Sequence, residues 1–220
     1  MPPMPYAGLP AESESLLQAG LRALGLNPEA EPIVAYLAYV ALLHKWNRVY
    51  NLTSVRDPLA MIDRHLIDSL TIAPYLQGQR VLDVGTGAGL PGIPLALHRP
   101  ELQFTLLDSN GKKTRFLQQV VAELSLANVQ VVHGRIETYR PDPPPDTVVS
   151  RAFASLADFL TTSAACIGPA TRVLAMKARG VEAELRNLPA GYRLVDIIEL
   201  YSADDSERTL VRLRRDAATQ

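Results

Sequence analysis

Glycines in the middle of the chain have the spacing to hold a ligand against the backbone. Gly85, Gly87 and Gly89 alternate with small residues directly after an apolar run that begins at Val81. Glycine permits backbone angles and close approaches that a Cβ would forbid, and a helix N-terminus offers free N–H groups. The segment from Val81 to Gly92 therefore predicts a strand, a ligand-binding turn and the start of a helix.

The glycine spacing fits two kinds of cofactor site. Gly87, Gly89 and Gly92 match the dinucleotide pattern G-x-G-x-x-G. The same segment also matches the G-x-G-x-G pattern of S-adenosylmethionine methyltransferases, which here starts at Gly85 with Asp83 two places upstream. A glycine turn without a ligand is the third interpretation, and the flanking strand and helix disfavour it.

A second acidic residue narrows the ligand to one that contains adenosine. The apolar run that starts at Gln103 ends in Asp108, at the position where an acidic side chain accepts hydrogen bonds from the ribose hydroxyls of such a ligand. We therefore expect a cofactor site made by the glycine turn and the two strand ends. Its predicted members are Asp83, Gly85, Thr86, Gly87, Gly89, Asp108 and Ser109.

Length and composition limit the number of domains and the cellular location that we expect. With 220 residues, 47% of them hydrophobic, the chain can bury the core of one α/β domain. We expect an N-terminal helical extension, residues 1–75, packed on the same domain as a cofactor-binding core, residues 76–220. The sequence shows no leader pattern and no apolar stretch of membrane-spanning length, which predicts a cytoplasmic protein without a membrane partner.

The cysteine and the histidines do not suggest further chemistry. Cys166 is the single cysteine of the chain, so an internal disulfide is excluded. Its apolar neighbours predict a buried position inside a helix. The four histidines show no metal-ligand spacing, and we therefore predict no metal site.

Local clusters of cations are the candidates for nucleic-acid contact, because a net charge of -1 gives the protein no general basic field. Cations interleaved with aromatic rings suit a phosphate backbone and an unpaired base, and a solvated polar surface is the alternative. One cluster surrounds Trp46 and Tyr50, and another follows Asp108. The predicted RNA contacts are Arg48, Arg56, Arg64, His65, Lys112, Lys113, Arg115 and Arg135.

The order of the elements predicts a parallel sheet that ends in an antiparallel hairpin. Strand-like and helical runs alternate from Val81 to Lys177, as in a βαβ fold. The last two strand-like runs, 192–200 and 209–213, are joined by a link too short for a crossover helix, so their pairing is antiparallel. A nicotinamide-binding domain would continue with βαβ units.

We therefore expect an α/β fold, with a seven-stranded Rossmann-like class I methyltransferase sheet whose last strand is antiparallel, plus the N-terminal helical extension. Amphipathic spacing, prolines and capping residues place the helices. The predicted helices span residues 12–24, 31–46, 59 onward, 91–97, 112–126 and 156–167.

Several separate motifs, in this order, resemble one family. They are Trp46-Asn47 with Asn51-Leu52-Thr53, Arg64-His65 with Asp68-Ser69-Leu70, the run from Asp83 to Pro94, Leu107-Asp108-Ser109, and Ser150-Arg151-Ala152-Phe153. Over roughly residues 36–214 the chain resembles the small-subunit rRNA methyltransferase G family, also called glucose-inhibited division protein B. The resemblance implies methyl transfer from S-adenosyl-L-methionine to N7 of a guanosine in 16S rRNA, with 16S rRNA or the small ribosomal subunit as the partner. We separately expect a monomer.

The resemblance also implies roles for individual residues. Arg151, at the end of the fourth strand-like run, and Lys177, at the end of the fifth, are expected to position the substrate. The cofactor positions that carry over are Gly85, Leu90, Ile136, Glu137 and Arg151, with Asp108 at the ribose.

The implied reaction asks little acid–base chemistry of the protein. Guanine N7 carries a lone pair on the major-groove edge, so no general base is needed. Alignment of the reacting atoms alone can contribute ~7 kcal/mol in favourable cases. Arg151 or Arg135 can donate to the neighbouring O6, and Phe153 can stack on the base or pack in the core. The open alternatives are an NAD(P)-dependent oxidoreductase and a non-catalytic RNA- or nucleotide-binding module.

Overall fold

A single mixed sheet forms the centre of the protein. The computed structural model describes residues 6–151, 153–178, 180–204 and 206–216, and within these ranges seven strands pair in the order β3-β2-β1-β4-β5-β7-β6. The strands are β1 (Arg80–Val84), β2 (Gln103–Asp108), β3 (Val129–His133), β4 (Thr147–Arg151), β5 (Arg172–Lys177), β6 (Tyr192–Glu199) and β7 (Thr209–Arg215).

The direction of the strands confirms the predicted fold class. Strands β1 to β5 pair with one another in parallel, and β7 is antiparallel to both of its neighbours, β5 and β6. The carboxyl ends of β1 to β5 therefore lie at one edge of the sheet, where ligands bind in open α/β folds.

Helices precede the sheet and connect its parallel strands. They are α1 (Ser13–Ala23), α2 (Ile33–Tyr50), α4 (Gly92–His98), α5 (Gly111–Glu123), α6 (Leu156–Thr162) and α7 (Val181–Leu185). The helix before β1, which we call α3, has three consecutive parts: an α-helical turn Pro58–Met61, a π-helical turn Ile62–Ile67 and an α-helical turn Asp68–Leu70.

The C-terminal ends of α2 and α6 differ most from those predicted. Helix α2 continues past Trp46 to Tyr50 and ends where Asn51 adopts a left-handed conformation with φ 49°. Helix α6 ends at Thr162, so the prediction that Cys166 lies inside a helix is wrong. Cys166 is buried in a separate 3-10 turn, and a short apolar sequence does not distinguish the two.

Residues alternate between the two faces of the sheet, as the period of a strand requires. On one face Leu82, Val84 and Val148 pack in a cluster with α6. On the other face Val81 and Val149 share a cluster with helices α1 to α5. The N-terminal helices thus share a hydrophobic core with the sheet, and a division of the chain at residue 75 stays a prediction.

A hydrogen bond also ties the N-terminal helices to the glycine turn. The fully buried Tyr39 on α2 donates its hydroxyl to the carbonyl oxygen of Ala88 at 2.8 Å. None of the helices in the described residues is both long and apolar enough to cross a membrane.

Candidate active site at the carboxyl edge of the sheet

Asp83 closes the loop that contains the glycines. Its Oδ2 accepts hydrogen bonds from the hydroxyl of Thr86 at 2.6 Å and from the backbone N–H of Gly92 at 2.9 Å. Asp83 is fully buried, and this burial raises the pKa of its carboxyl to about 7. Through these hydrogen bonds, the buried side chains of Asp83 and Thr86 hold the start and the end of the glycine loop together.

The glycines have different structural roles. Gly85, Gly87 and Gly89 have φ values of 67°, 63° and 93°, in the left-handed region that favours glycine. A Cβ on Gly89 would lie 2.6 Å from Ile93, so this position serves the packing of α4. A Cβ on Gly85 would meet only the ring of Phe153, at 3.6 Å. Gly85 is thus the glycine that faces open space.

Asp108 lies against the glycine loop at the end of β2. Its Oδ2 accepts a hydrogen bond from the N–H of Gly87 at 2.8 Å, and its Oδ1 accepts one from the N–H of Asn110 at 2.8 Å. The ammonium group of Lys113 lies 3.9 Å from Oδ2. An ionised carboxylate has about four acceptor positions, so Asp108 can still accept from a ligand's hydroxyl groups.

A cavity of about 500 Å³ opens in front of these strand ends. Six of the predicted cofactor residues line it: Gly85, Asp108, Ser109, Ile136, Glu137 and Arg151. Five do not line it and instead form the loop behind it: Asp83, Thr86, Gly87, Gly89 and Leu90. The rest of the lining is Val84, Leu107, Lys113, Gly134, Arg135, Phe153, Ala154 and Asp158.

The sequence analysis did not predict that Asp158 lines this cavity. It follows Ser155, whose side chain accepts from the N–H of Asp158 at 3.0 Å and caps helix α6. The spacing Ser-x-x-Asp is a capping signal that the sequence does contain. It would have placed Asp158 in the first turn of a helix that starts at the same sheet edge.

A second cavity, of about 490 Å³, adjoins the first. Arg151 and Phe153 line both cavities, so the two spaces meet at the end of β4. The other residues of the second cavity are Val55, Arg64, His65, Asp68, Met176, Lys177, Ala178, Glu184, Leu200 and Arg208.

Arg151 is fixed between the two cavities by helix α3. Its Nη1 donates to Oδ2 of Asp68 at 2.8 Å and to the backbone oxygen of Arg64 at 3.1 Å. Its Nη2 lies 3.0 Å from Nδ1 of His65. Three partners hold the guanidinium in one orientation, which suits a group that must present donors to a planar ligand.

Asp68 connects two distant parts of the chain. Besides Arg151, it pairs with Arg208, whose Nε lies 3.3 Å from its Oδ1. Burial raises the pKa of Asp68, and the two arginines oppose that rise. Arg208 comes from the segment before β7, and no local pattern in the sequence predicts that it reaches helix α3.

The imidazole of His65 is buried and neutral. Burial, followed by the nearby charge of Arg151, lowers its pKa to about 4. Nδ1 lies 3.0 Å from Nη2 of Arg151, which only donates, and 3.0 Å from the backbone oxygen of Arg64, which only accepts. Nε2 lies 2.8 Å from the hydroxyl of Thr53. His65 therefore supports Arg151 and has both ring nitrogens engaged.

Lys177 is also held in place. Its Nζ lies 2.9 Å from Glu184 on α7 and donates to the backbone oxygen of Phe153 at 3.1 Å. Only 10% of its side chain is exposed. Lys177 therefore fixes the segment that carries Phe153, and it contributes to one wall of the second cavity.

The other predicted RNA contacts lie at the surface. Arg64 is half exposed and pairs with Asp204 at 3.0 Å, and the exposed Arg56 donates to Asn51 at 3.2 Å. Trp46 stacks on Tyr50, with ring centroids 5.2 Å apart, and also contacts Phe116 in the core. The remaining exposed cations of the prediction are Arg48, Lys112, Arg115 and Arg135, and Lys113 is half-buried.

The π-helical turn of α3 was not predicted. It spans Ile62–Ile67 and carries Arg64 and His65, and Asp68 follows it directly. Such turns are rare and occur frequently at functional sites. The wider turn brings a backbone oxygen, an imidazole and a carboxylate to the single side chain of Arg151.

The fold resembles known methyltransferase structures. A SAM dependent methyltransferase from Aquifex aeolicus superposes with a TM-score of 0.59 at 18% identity, over 76% of this chain and 97% of that one. A protein of the NADB-Rossmann superfamily from Streptococcus agalactiae superposes with a TM-score of 0.55 at 13% identity, over 70% of this chain and 69% of that one. At these identities the likeness concerns the fold alone.

Similarity in sequence identifies the family. The chain is 48% identical over 202 residues to the ribosomal RNA small subunit methyltransferase G of Nitrosococcus oceani, covering 91% of this chain and 94% of that protein. It is 54% identical over 184 residues to the protein of the same name from Ectopseudomonas mendocina, covering 83% and 86%. Residues 33–209 match the family described as GidB, rRNA small subunit methyltransferase G. The resemblance inferred from the motifs is thereby confirmed, and the chain belongs to the rRNA small subunit methyltransferase G family.

Proposed function

We propose that this protein transfers the methyl group of S-adenosyl-L-methionine to N7 of a guanosine in 16S rRNA. One observation carries the proposal: two cavities of similar volume meet at Arg151 and Phe153. A transfer reaction needs two ligands whose reacting atoms face each other, and adjoining cavities with a shared wall provide that arrangement. Family membership favours this reaction over hydride transfer by an oxidoreductase.

The first cavity fits the adenosyl cofactor. Gly85 leaves room where a side chain would protrude, and Asp108 has acceptor positions free for ribose hydroxyls. Ile136, 8% exposed, offers an apolar surface beside Glu137 for a flat ring. When bound, the cofactor supplies a methyl group that is electrophilic because it is attached to a sulfonium.

The second cavity fits an acceptor that needs no general base. Its carboxylates are already paired, Asp68 with two arginines and Glu184 with Lys177. Its histidine, His65, has both nitrogens engaged. Since no strong unpaired base is seen among the described residues of this cavity, a nucleophile with its own lone pair, such as guanine N7, is the acceptor that suits it.

The residues between the cavities then have positioning roles. Phe153 presents its ring at the junction and can stack on a base, while it contacts Phe159 at a centroid distance of 5.1 Å. Arg151 can donate to guanine O6, which lies beside N7 on the same base edge. With the base held at O6, N7 remains free to attack the methyl group in line.

The proposed acceptor follows from the names of the relatives. The proteins from Nitrosococcus oceani and Ectopseudomonas mendocina are named for methylation of small-subunit ribosomal RNA. Exposed cations beside the second cavity, among them Arg56 and Arg64, support an RNA acceptor because they can contact phosphates.

Labelled S-adenosyl-L-methionine tests the proposal directly. The protein is incubated with naked 16S rRNA, with small ribosomal subunits and with whole ribosomes, and the RNA is then digested to nucleosides. We expect label in 7-methylguanosine in at least one of the three samples. Label in another nucleoside would contradict the choice of N7. Label in none of them, with intact binding of S-adenosylhomocysteine, would instead support the non-catalytic module.

A further inference from the structure

Three arginines lie in one row across the far end of the sheet. In the strand register Arg172 of β5 is directly opposite Arg214 of β7, and Arg214 is directly opposite Arg193 of β6. Side chains at opposite positions share a face, with Cβ atoms roughly 5 Å apart. Like charges at such positions destabilise a sheet, so the row needs a compensating negative charge.

Within the described residues, acidic side chains compensate only part of the positive charge of this row. Arg193 has one acidic neighbour, Asp216, at 3.6 Å. Arg172 donates to the backbone oxygen of Tyr75 at 3.2 Å, which carries no net charge. The guanidinium of Arg214 makes no hydrogen bond or ion pair with any residue that the structure describes.

The next position on the same face of β7, two residues before Arg214, adds a fourth arginine. Arg212 pairs with Asp196 on β6, and its guanidinium lies 5.4 Å from the ring centroid of Tyr75. Burial and the nearby charges of Arg212 and Arg214 lower the pKa of Arg172. The four guanidinium groups and Val195 line a depression of about 240 Å³. We call these four arginines the arginine row.

We propose that the arginine row binds a phosphate group of the RNA acceptor, at a distance from the methylated base. Arginine has a planar fork of donors that matches phosphate oxygens in pairs. A phosphate in the depression would supply the negative charge that the row lacks. The inference rests on the proposed function, because that function supplies the polynucleotide.

The position of the row favours a polynucleotide over a small anion. Arg172 and Lys177 mark the two ends of β5, so the row and the second cavity are about 17 Å apart at roughly 3.3 Å per residue. A single small ligand does not reach both places. An RNA strand or helix reaches both, and two simultaneous attachments strengthen binding without new contacts at the base.

Salt-dependent RNA binding tests this assignment. We compare the wild type with Arg214→Gln and with Arg193→Gln/Arg214→Gln, and we use Arg22→Gln on the exposed surface of α1 as the matched control. Removal of one arginine–phosphate interaction lowers the slope of log affinity against log salt by roughly 1. Because both arginines would contact the same phosphate, we expect a slope lower by up to about 1 in Arg214→Gln and by about 1 in the double variant, a KM for RNA about three- to tenfold higher, and an unchanged kcat.

Two further measurements separate a binding role from a structural one. Removing one of several like charges is expected to leave the melting temperature unchanged or to raise it, and the affinity for S-adenosylhomocysteine is expected to stay the same. Row variants with the wild-type salt slope and KM would overturn the assignment. So would a lower melting temperature with weaker cofactor binding, or stabilisation of the wild type alone by inorganic phosphate without any change in RNA affinity. A wild type that methylates no RNA would instead overturn the proposed function.

Discussion

The two adjoining cavities are built in different ways. The first consists mainly of the ends of β1, β2 and β3 with the loops that follow them, and the segment from Arg151 to Asp158 after β4 completes its wall. The second combines helix α3, the ends of β4 and β5, and Arg208 from the segment before β7. The cavity proposed for the cofactor therefore depends mainly on segments at neighbouring strand ends, whereas the cavity proposed for the acceptor exists only when distant segments have packed together.

The partners of the buried carboxylates distinguish the two cavities as well. In the first, Asp108 accepts hydrogen bonds from the backbone N–H groups of Gly87 and Asn110. In the second, buried ion pairs hold the wall, with Asp68 between Arg151 and Arg208. Breaking a buried pair leaves an uncompensated charge, so the acceptor side is more sensitive to single substitutions.

Substitution of Arg151, which both cavities share, is expected to have the largest effect. Arg151→Gln removes the donors at the junction and leaves Asp68 with one partner. We expect kcat/KM for methyl transfer to fall about 100-fold, equivalent to ~2.7 kcal/mol. Steady-state kinetics with the RNA acceptor measure it. The control is Arg80→Gln at the opposite edge of the sheet, where the side chain is half exposed and pairs with Asp146. Equal losses in both variants would show that the carboxyl edge is not the site.

Gly85→Ala tests the local, glycine-built cavity. A Cβ at this position points into the open space, so we expect the affinity for S-adenosylhomocysteine to fall about 30-fold, equivalent to ~2 kcal/mol. Titration calorimetry measures the affinity. Gly25→Ala is the matched control, because Gly25 also has a positive φ, 74°, and a Cβ there meets nothing within 4 Å. Both variants are expected to lose a similar amount of folding stability, because each places a Cβ on a residue with positive φ. A loss of ligand affinity in both would therefore indicate backbone strain and not filling of the cavity.

Asp68→Asn tests the assembled cavity without touching the cofactor. The amide keeps the size of the side chain but removes the charge that holds Arg151 and Arg208. We expect kcat to fall about tenfold, with unchanged affinity for S-adenosylhomocysteine. The control is Asp63→Asn in the same helix, since Arg151 and Arg208 form their ion pairs with Asp68 and not with Asp63. A loss of cofactor affinity in Asp68→Asn would show that the two cavities are not independent.

Substitution of His65 is expected to change how stability depends on pH and to affect methyl transfer least. Its pKa is about 4 in the folded protein and about 6.5 when unfolded, so the unfolded state binds the proton first as pH falls. Its contribution is therefore present above pH 6.5 and is lost between about pH 6.5 and 4. We expect His65→Gln to reduce this pH dependence by roughly 1 to 3 kcal/mol in denaturant unfolding.

Asp83 makes the free energy of unfolding depend on pH in the opposite direction. The quantity to measure is therefore the difference in that pH dependence between His65→Gln and the wild type. Because the pKa of the Asp83 carboxyl is raised from 3.8 to about 7, the protein loses stability as pH rises between these two values. His133→Gln, at an exposed position, is the control. An unchanged pH dependence in His65→Gln would contradict a buried neutral imidazole.

The sequence by itself determined the parallel part of the sheet and the cofactor side of the site. Buried parallel strands are short apolar runs bounded by turn residues, and the run predicted from Gln103 to Asp108 has the bounds that the structure shows for β2. The glycine loop and Asp108 were predictable for the same reason: each acts through its own backbone or its nearest strand neighbour. The sequence did not indicate the structural roles of the loop residues, since Gly89 packs closely against Ile93 and the hydroxyl of Thr86 donates to Asp83.

Only the tertiary structure decided the acceptor side. The contacts of Arg151 join residues 83 to 87 positions apart, and neither periodicity nor a motif encodes such a distance. The π-helical turn depends on packing, because the sequence Ile62–Ile67 suits an ordinary helix equally well. The arginine row likewise arises from strand register, which places Arg172 beside Arg214 although 42 positions separate them in the chain. Local preferences determine the elements, and the pairing of distant elements determines which side chains share a site.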